Sequence, residues 1–520
     1  DPLQSCQPDT GECGSTVIDP ATLPNYTPGD ENSVTVPSAG DAGTADADAR
    51  TPECVGGAKR CDGNAPQVCD EGGRWRTSPA CNHQTCIDGA CVGVCAPADR
   101  ECLPTTSKAC NPTGNWTTTD LTVPKWTQTY GTANNEVLQV APSTLAKMGD
   151  GNYLLVGNTA EAGAVGVGAG DGYAVKLSPT GAKLWEKTLG TYLVSATGTT
   201  DGAIVCGTAK RGLLGCTANR NCGYCAKLGL DGSIVWQKTY VQANNDLDFY
   251  DVVAPGGLPD GGAPATESFV VAGRTTSGDA FFDPMLQSFD ANGTLLGTNI
   301  HRTGKRQDQF YDLRRAGDGT YFAAGYLDEY GPCQQAYLAH LGSSATDAFR
   351  GQLPIGPCLS IAHPPTANAA SAVLPLADGS VMVAGSQYVD ATATVEAFLG
   401  RYTAPGGGAP VEAWRKFHGG PGAQTANAVE QLPDGGFLLV GATSALPWTA
   451  DNEAFDVFVV RTNASGDVLW ERAYGGAGND IGSSVARMAD GSYLITGRTT
   501  SSGAGSSDFY AFAIPAVCPP

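Results

Sequence analysis

Along most of the chain, short runs of small and apolar residues alternate with polar ones. They are cut at close intervals by Asp-Gly, Asn-Gly and Gly-rich turns. The segment 483–514, SSVARMADGSYLITGRTTSSGAGSSDFYAFAI, shows the unit: a strand, a tight Asp-Gly turn, a second strand ending in glycine, a loop and a third strand. In fuller copies a second tight turn, such as SPTG, GLDG or NASG, leads to a fourth strand that carries Trp. Period-two alternation bounded by such turns predicts β-hairpins.

The glycine closing the second strand counts the units. It stands at Gly157, Gly207, Gly273, Gly325, Gly385, Gly441 and Gly497, 50 to 66 residues apart. Glycine inside a strand costs stability, so its recurrence predicts a close backbone approach, expected here between neighbouring sheets. Four-stranded units of this length, packed radially, predict a seven-bladed β-propeller over 117–520. The last unit has no Trp strand, whereas VPKWTQTYG at 123–131 is a Trp strand with no unit before it. The Trp126 strand is therefore expected to pair beside Phe509, closing the ring and removing two sheet edges. An open solenoid would need no such complementary ends.

Upstream the pattern changes. Residues 54–116 hold a duplicated cysteine module: Cys54, Cys61, Cys69 and Trp75 recur as Cys95, Cys102, Cys110 and Trp116. Disulfides or a Zn site would both suit such spacings, and scarce His favours disulfides. The short gaps predict bridges Cys61–Cys69 and Cys102–Cys110. An odd count of module and arm cysteines predicts that Cys518 bonds Cys95 or another module cysteine. Cys206, Cys216, Cys222 and Cys225 fall in the second unit, and Cys333 is placed to reach Cys358. Residues 1–53 carry Cys6 and Cys13 but few large apolar side chains, and read as an extended low-complexity arm.

Eighteen cysteines predict an oxidising, extracellular or cell-surface location. Asp1 reads as a mature N-terminus from which an export signal has been removed. The formal charge of −21 argues against nucleic acid, which needs a basic stripe, and no apolar run is long enough to span a membrane.

The lines GDVLWERAYGGAGNDIGSSVARMADGSYLITGRT and GNYLLVGNTA resemble bacterial secreted propellers of the delta-60 repeat kind. RCDGNAPQVCDEGGRW resembles cysteine modules of myxobacterial secreted proteins. These resemblances imply a seven-bladed surface or matrix propeller with no enzymatic activity. The Trp strand also resembles the quinoprotein dehydrogenase repeat, but the adjacent cysteine pair often found beside that cofactor is missing. No cofactor is expected. Trp126, Trp185, Trp236, Trp414 and Trp470 read as packing between blades. Gly297 takes the Trp position in the third unit.

Little else suggests chemistry. No sialidase S-x-D-x-G-x-x-W box occurs, and the five His residues have no metal-ligand spacing. Asp171, Asp456 and Asp508, which open third strands, read as turn or cap residues rather than acid–base pairs. NNDLDFYD at 244–251 lacks the central glycine of a calcium loop, and no metal is expected. The longer loops, 158–170, 208–221, 326–335, 355–366 and 443–454, share one rim, where function on a rigid scaffold tends to sit. Lys210, Arg211 and Arg220, then His301, Arg302, Lys305 and Arg306, place basic charge there, and Tyr330 and Trp448 add aromatic surface. The chain is expected to be a non-enzymatic extracellular scaffold, its arm engaging a protein partner or another copy. A glycan- or anion-binding rim is the alternative, and an enzyme the third reading.

Overall fold

The computed structural model describes the strand pairs Ser5–Cys6 and Cys13–Gly14 and most of 52–516. Outside the described residues lie 138–141, 161–169, 255–268, 278–280, 302–307, 330–332, 343–348, 360–367, 445–454, 517–520, the rest of 1–51, parts of 210–219 and a few isolated positions. The chain divides into two compact units, Asp1–Lys59 with Gln67–Thr77 and Arg60–Pro66 with Ser78–Pro520. Among the described residues no helix is long and apolar enough to cross a membrane.

In the smaller unit Cys6 is in register with Cys13 and Cys69 with Trp75. Backbone hydrogen bonds Cys69 N to Ala58 O and Gly57 N to Cys69 O, 2.8 and 2.9 Å, bring 54–58 against Cys69, where Cys54 bridges to it. The larger unit holds the bridges Cys61–Cys86, Cys81–Cys91, Cys95–Cys110, Cys206–Cys225 and Cys216–Cys222. The expected Cys61–Cys69 and Cys102–Cys110 bridges are thus wrong, as is Cys95 as partner for Cys518. The reason is register. In the second copy Cys102 stands opposite Ser107 and Cys110 opposite Trp116, so the hairpin keeps Cys102 and Cys110 apart. Cys102 is disulfide-bonded. The side chains of Cys6, Cys13, Cys333, Cys358 and Cys518 lie outside the described residues.

The rest of the larger unit is antiparallel sheet. Sheet 1 comprises Asn135–Val137, Leu145–Lys147, Tyr153–Ala160, Asp171–Leu177 and Lys183–Leu189; sheet 2, Tyr192–Thr199, Gly202–Ala209, Cys222–Gly229 and Ile234–Tyr240. Sheet 3 comprises Leu247–Val253, Phe269–Ser277, Phe281–Phe289 and Leu295–Ile300; sheet 4, Gln309–Arg315, Tyr321–Glu329, Cys333–Leu341 and Phe349–Leu359. Sheet 5 comprises Asn368–Pro375, Val381–Val389, Thr394–Thr403 and Val411–His418; sheet 6, Ala423–Gln431, Phe437–Ser444, Asp456–Thr462 and Val468–Tyr474. Sheet 7 comprises Asp480–Arg487, Tyr493–Thr499 and Asp508–Ile514, with Trp126–Tyr130 as its outer strand. Trp126 pairs with Ala513 and Tyr130 with Phe509, so the expected joining of the two ends holds. First strands touch in succession from sheet to sheet, and Leu145–Lys147 also meets Asp480–Arg487. This is a closed β-propeller, with the first strands around its channel.

Each inner strand from sheet 2 to sheet 7 carries a bulge at the same place, after Leu193, Phe249, Phe310, Ala370, Ala426 and Gly482. The counting glycines answer these bulges. A Cβ on Gly207, Gly273, Gly325, Gly385, Gly441 or Gly497 would overlap the carbonyl of Tyr192, Asp248, Gln309, Ala369, Thr425 or Ile481 respectively. The close approach is therefore within each sheet, at its bulge, and not between neighbouring sheets as the sequence suggested. The bulge bends the backbone into the space that a side chain would fill.

The Trp strands do join neighbours. Gly181, Gly232, Gly293 and Gly466, in the last turn of one sheet, lie against Trp126, Trp185, Trp236 and Trp414 of the preceding one. Trp185 Nε1 donates to Leu230 O and Trp236 Nε1 to Ala291 O, at 2.9 and 3.0 Å. Sheet 7 has no such turn, because its outer strand comes from the start of the array. There Tyr474 OH donates instead to Thr122 O at 2.6 Å, and Leu121 and Thr122 are buried. Large side chains such as Tyr153, Tyr173 and Phe509 fill the seam between sheets 7 and 1, each contributing about 1.5–3 kcal/mol by burial.

Candidate functional site

Of the nine rim residues singled out in the sequence, only Arg220 and His301 are described. Lys210, Arg211, Arg302, Lys305, Arg306, Tyr330 and Trp448 lie outside the described residues. Arg220 Nη1 is 3.7 Å from Asp246, in a loop pinned by Cys216–Cys222. His301 is half-buried, and its backbone N–H donates to Pro284 O at 2.9 Å. The 244–251 acids are dispersed: Asp246 accepts from Asn221 N, Asp248 pairs with Arg274, and Asp251, on an inner strand, accepts from Leu313 N.

The channel wall holds polar groups that sequence reading did not single out. The residue following each bulge is Ser195, Asp251, Asp312, Ala372, Ala428 or Ser484. Ser195 Oγ donates to Asp251 Oδ1 at 2.8 Å and accepts from Val252 N at 3.0 Å. Asp251 Oδ2 accepts from Leu313 N and Asp312 Oδ2 from Val373 N, both at 2.7 Å. Each group thereby holds the backbone of the next sheet. Arg314 Nη1 lies 3.2 Å from Asp312 and 3.9 Å from Asp251, and donates to Ser143 Oγ at 3.2 Å.

Burial pushes the Asp312 carboxyl up to about 7. The Arg314 charge opposes the rise and the Asp251 charge adds to it. For Arg314, burial works against the cation, but Asp312, Asp251 and Glu430 outweigh it and hold its pKa up. A carboxyl titrating near neutrality beside a carboxylate and a guanidinium is able to carry a proton. A cavity of about 550 Å³ opens beside it, lined by Ser143, Lys147, Thr197, Arg314, Arg315 and Glu430 among others. It lies at the end where first strands turn into second strands, opposite the long-loop rim. The repeated triplet Phe-Tyr-Asp at 249–251 and 310–312 was the available signal in the sequence.

The acids opening third strands do more than cap turns. Asp508 Oδ2 does accept from Gly505 N at 3.1 Å. Its other oxygen, however, faces Gly131 together with Glu136 Oε2 from sheet 1. Likewise Asp456 and Asp480 converge on Gly475 between sheets 6 and 7. Burial, then the Asp480 charge, raises the Asp456 pKa.

In sequence the chain matches no family model and no curated protein. Similar solved structures include a subtype N11 neuraminidase-like protein of A/flat-faced bat/Peru/033/2010 (H18N11), at 11% identity and TM-score 0.36, covering 76% of this chain and 94% of that one. BamB from Moraxella catarrhalis is similar at 11% identity and TM-score 0.32, covering 75% of this chain and 97% of that one. The polysaccharide lyase Uly1 is similar at 10% identity and TM-score 0.43, covering 75% and 93%. The myxobacterial assignment finds no support among these. The expectation that the chain is not an enzyme is withdrawn, because a neuraminidase-like protein and a lyase stand among the similar structures; enzyme status is open.

Proposed function

We propose that the chain is a secreted, seven-bladed propeller that serves as a scaffold or assembly subunit of a surface fibre or matrix, with residues 1–53 contacting a neighbour. Seven antiparallel sheets among the described residues, touching in succession, support the blade count. The disulfides support an oxidising compartment. The observation that carries the scaffold reading is the joint between the second cysteine copy and the sheets. Arg461 Nη1 donates to Pro104 O at 2.8 Å, Tyr474 OH to Thr122 O, and Leu121 is buried where other sheets place a turn. Such a joint fixes the direction in which the propeller is presented, as a subunit in an ordered assembly requires.

Size-exclusion chromatography and imaging of the protein from its source, with and without residues 1–53, test this reading. Assemblies that disappear on truncation are expected; assemblies unchanged by it would overturn the role of the arm. With the other cysteines of the second module copy paired, we further propose that Cys102 bonds Cys518. Non-reducing peptide mapping checks that bond.

A second reading, a propeller binding a glycan or small anion, draws on the polar cavity beside Arg314. Glycan-array binding lost in Arg315→Glu would favour it, and a silent array would count against it.

A further inference from the structure

One register recurs at several sheet junctions. A third-strand residue of one sheet and a first-strand residue of the next each stand opposite the position two after the counting glycine of their own sheet. By this register Gln335 and Asn368 hold the two places between sheets 4 and 5, and Glu396 and Gln424 those between sheets 5 and 6, so each of these junctions includes an amide side chain. Between sheets 6 and 7 the position holds Asp456 and Asp480; between sheets 7 and 1 it holds Asp508 and Glu136. The backbones meet identically at these two junctions, Asp480 N donating to Phe455 O at 2.6 Å and Glu136 N to Ser507 O at 2.7 Å.

Asp508 and Glu136 are almost completely buried, 1% and 0% exposed. The Glu136 carboxylate accepts from Thr132 N at 3.1 Å, Thr132 Oγ1 at 2.7 Å and Thr159 Oγ1 at 2.8 Å. Asp508 Oδ1 has no hydrogen-bond partner, yet it points to the same spot above Gly131 as Glu136 Oε2. Gly131 leaves that spot free of a side chain. Among the described residues neither acid forms an ion pair with Lys or Arg. Two buried carboxylates facing each other with neither a proton nor a cation between them are strongly unfavourable. At the second junction Gly475 takes the place of Gly131: Asp480 Oδ2 faces it beside Asp456 Oδ1 and accepts from Gly476 N and Ser501 Oγ, both at 2.7 Å, while Asp480 Oδ1, in a residue 1% exposed, has no partner.

We propose that Asp508 and Glu136 bind a divalent cation of the calcium class, and that Asp456 and Asp480 form a second copy of the site. Hard oxygen donors and a flexible, incomplete carboxylate shell suit Ca²⁺ better than Mg²⁺, which demands near-octahedral geometry. Among the described residues no three acidic, His or Cys side chains converge, so backbone carbonyls and water complete the shell. The carbonyls of Thr132 and Asn134 abut Gly505, which hydrogen-bonds Asp508. The ion would fasten sheet 7 to sheet 1 at the seam where the ends of the array meet.

The test is calorimetric titration of the full chain with calcium chloride near neutral pH, with thermal unfolding in calcium and in chelator. Saturable heat and a Tm several degrees higher in calcium are expected. Asp508→Asn, which copies the amide chemistry of the junction at Gln335 and Asn368, should fold, gain stability in chelator and lose roughly half of the calcium-induced shift; adding Asp480→Asn should abolish the rest. Absent heat and an unmoved Tm would overturn the proposal, as would an undiminished shift in the double variant. A Tm that instead climbs on acidification, with no calcium response, would assign a shared proton to the pair and equally overturn it.

Discussion

Two pairs of acids lie at similar depth in the propeller and are handled differently. Asp251 and Asp312, on the channel wall, have Arg314 between them and a backbone N–H of the next sheet on each carboxylate. Asp508 and Glu136, at the seam, have donors from adjacent loops and from the strand beside Glu136, and no cation among the described residues. The channel pair carries its counter-charge in the fold. The seam pair must take one from solution, so its stability follows the medium. The difference teaches that a recurring acid on a repeat scaffold is to be judged by what neutralises it, since position alone does not distinguish a cross-sheet tie from a site.

Removing the internal counter-charge should convert the first pair into the second, with the largest effect. Arg314→Met is expected to cost about 3 kcal/mol, the low end for breaking a buried pair because the guanidinium is partly solvated. Urea unfolding checks this. The loss should be smaller under acid conditions, where Asp312 takes up a proton. An equal loss at all pH values would show that Arg314 acts through packing alone.

Next in size is the backbone framework that places both pairs. Gly441→Ala drives a Cβ into the Thr425 carbonyl at the bulge of sheet 6, and should cost about 1–3 kcal/mol as an overpacked site. The same change at Gly379, an open turn glycine with nothing within 4 Å, is limited to the strain of its φ of 80°. A thermal shift larger at Gly441 than at Gly379 is expected.

Much of this framework was legible in the sequence, and the reasons are local. Hairpins, the counting glycines and the complementary half-unit at Trp126 are written in short contiguous segments, so pattern alone recovered the sheets and their closure. The Trp residues were readable as joints because each lies in a repeated line. The cysteine pairing was not, since it depends on register: one residue opposite Ser107 instead of Cys110 decides it. The acid pairs were missed for a related cause. Asp508 and Glu136 lie on consecutive sheets at opposite ends of the array, so only the closed ring brings them together. Asp251 and Asp312 sit in apolar strand sequence, where a single acid looks like a break in the pattern. Of the basic clusters read on the rim, only Arg220 and His301 are described.

The smallest expected effect is a change of slope, and it sharpens the comparison most. The Asp312 pKa is raised from 3.8 to about 7 in the folded protein. The native state therefore holds a proton that the unfolded chain releases, and Asp312 makes stability fall as pH rises from about 4 to about 7. His418, buried with neither ring nitrogen hydrogen-bonded, has its pKa lowered from 6.5 to about 4, by burial first and then by Lys416. It contributes the opposite slope: stability present above 6.5 is lost as pH falls toward 4. In the wild type the two contributions offset each other across one window. Asp312→Asn keeps an acceptor for Val373 N but removes the first slope. The variant should then lose stability on acidification between pH 6.5 and 4 more steeply than the wild type, as His418 acts unopposed. Urea midpoints measured across that window check it. Parallel curves for the two proteins would mean that Arg314 keeps Asp312 ionised throughout, and the channel pair would then be a fixed ion cluster that neither gains nor gives up a proton near neutrality.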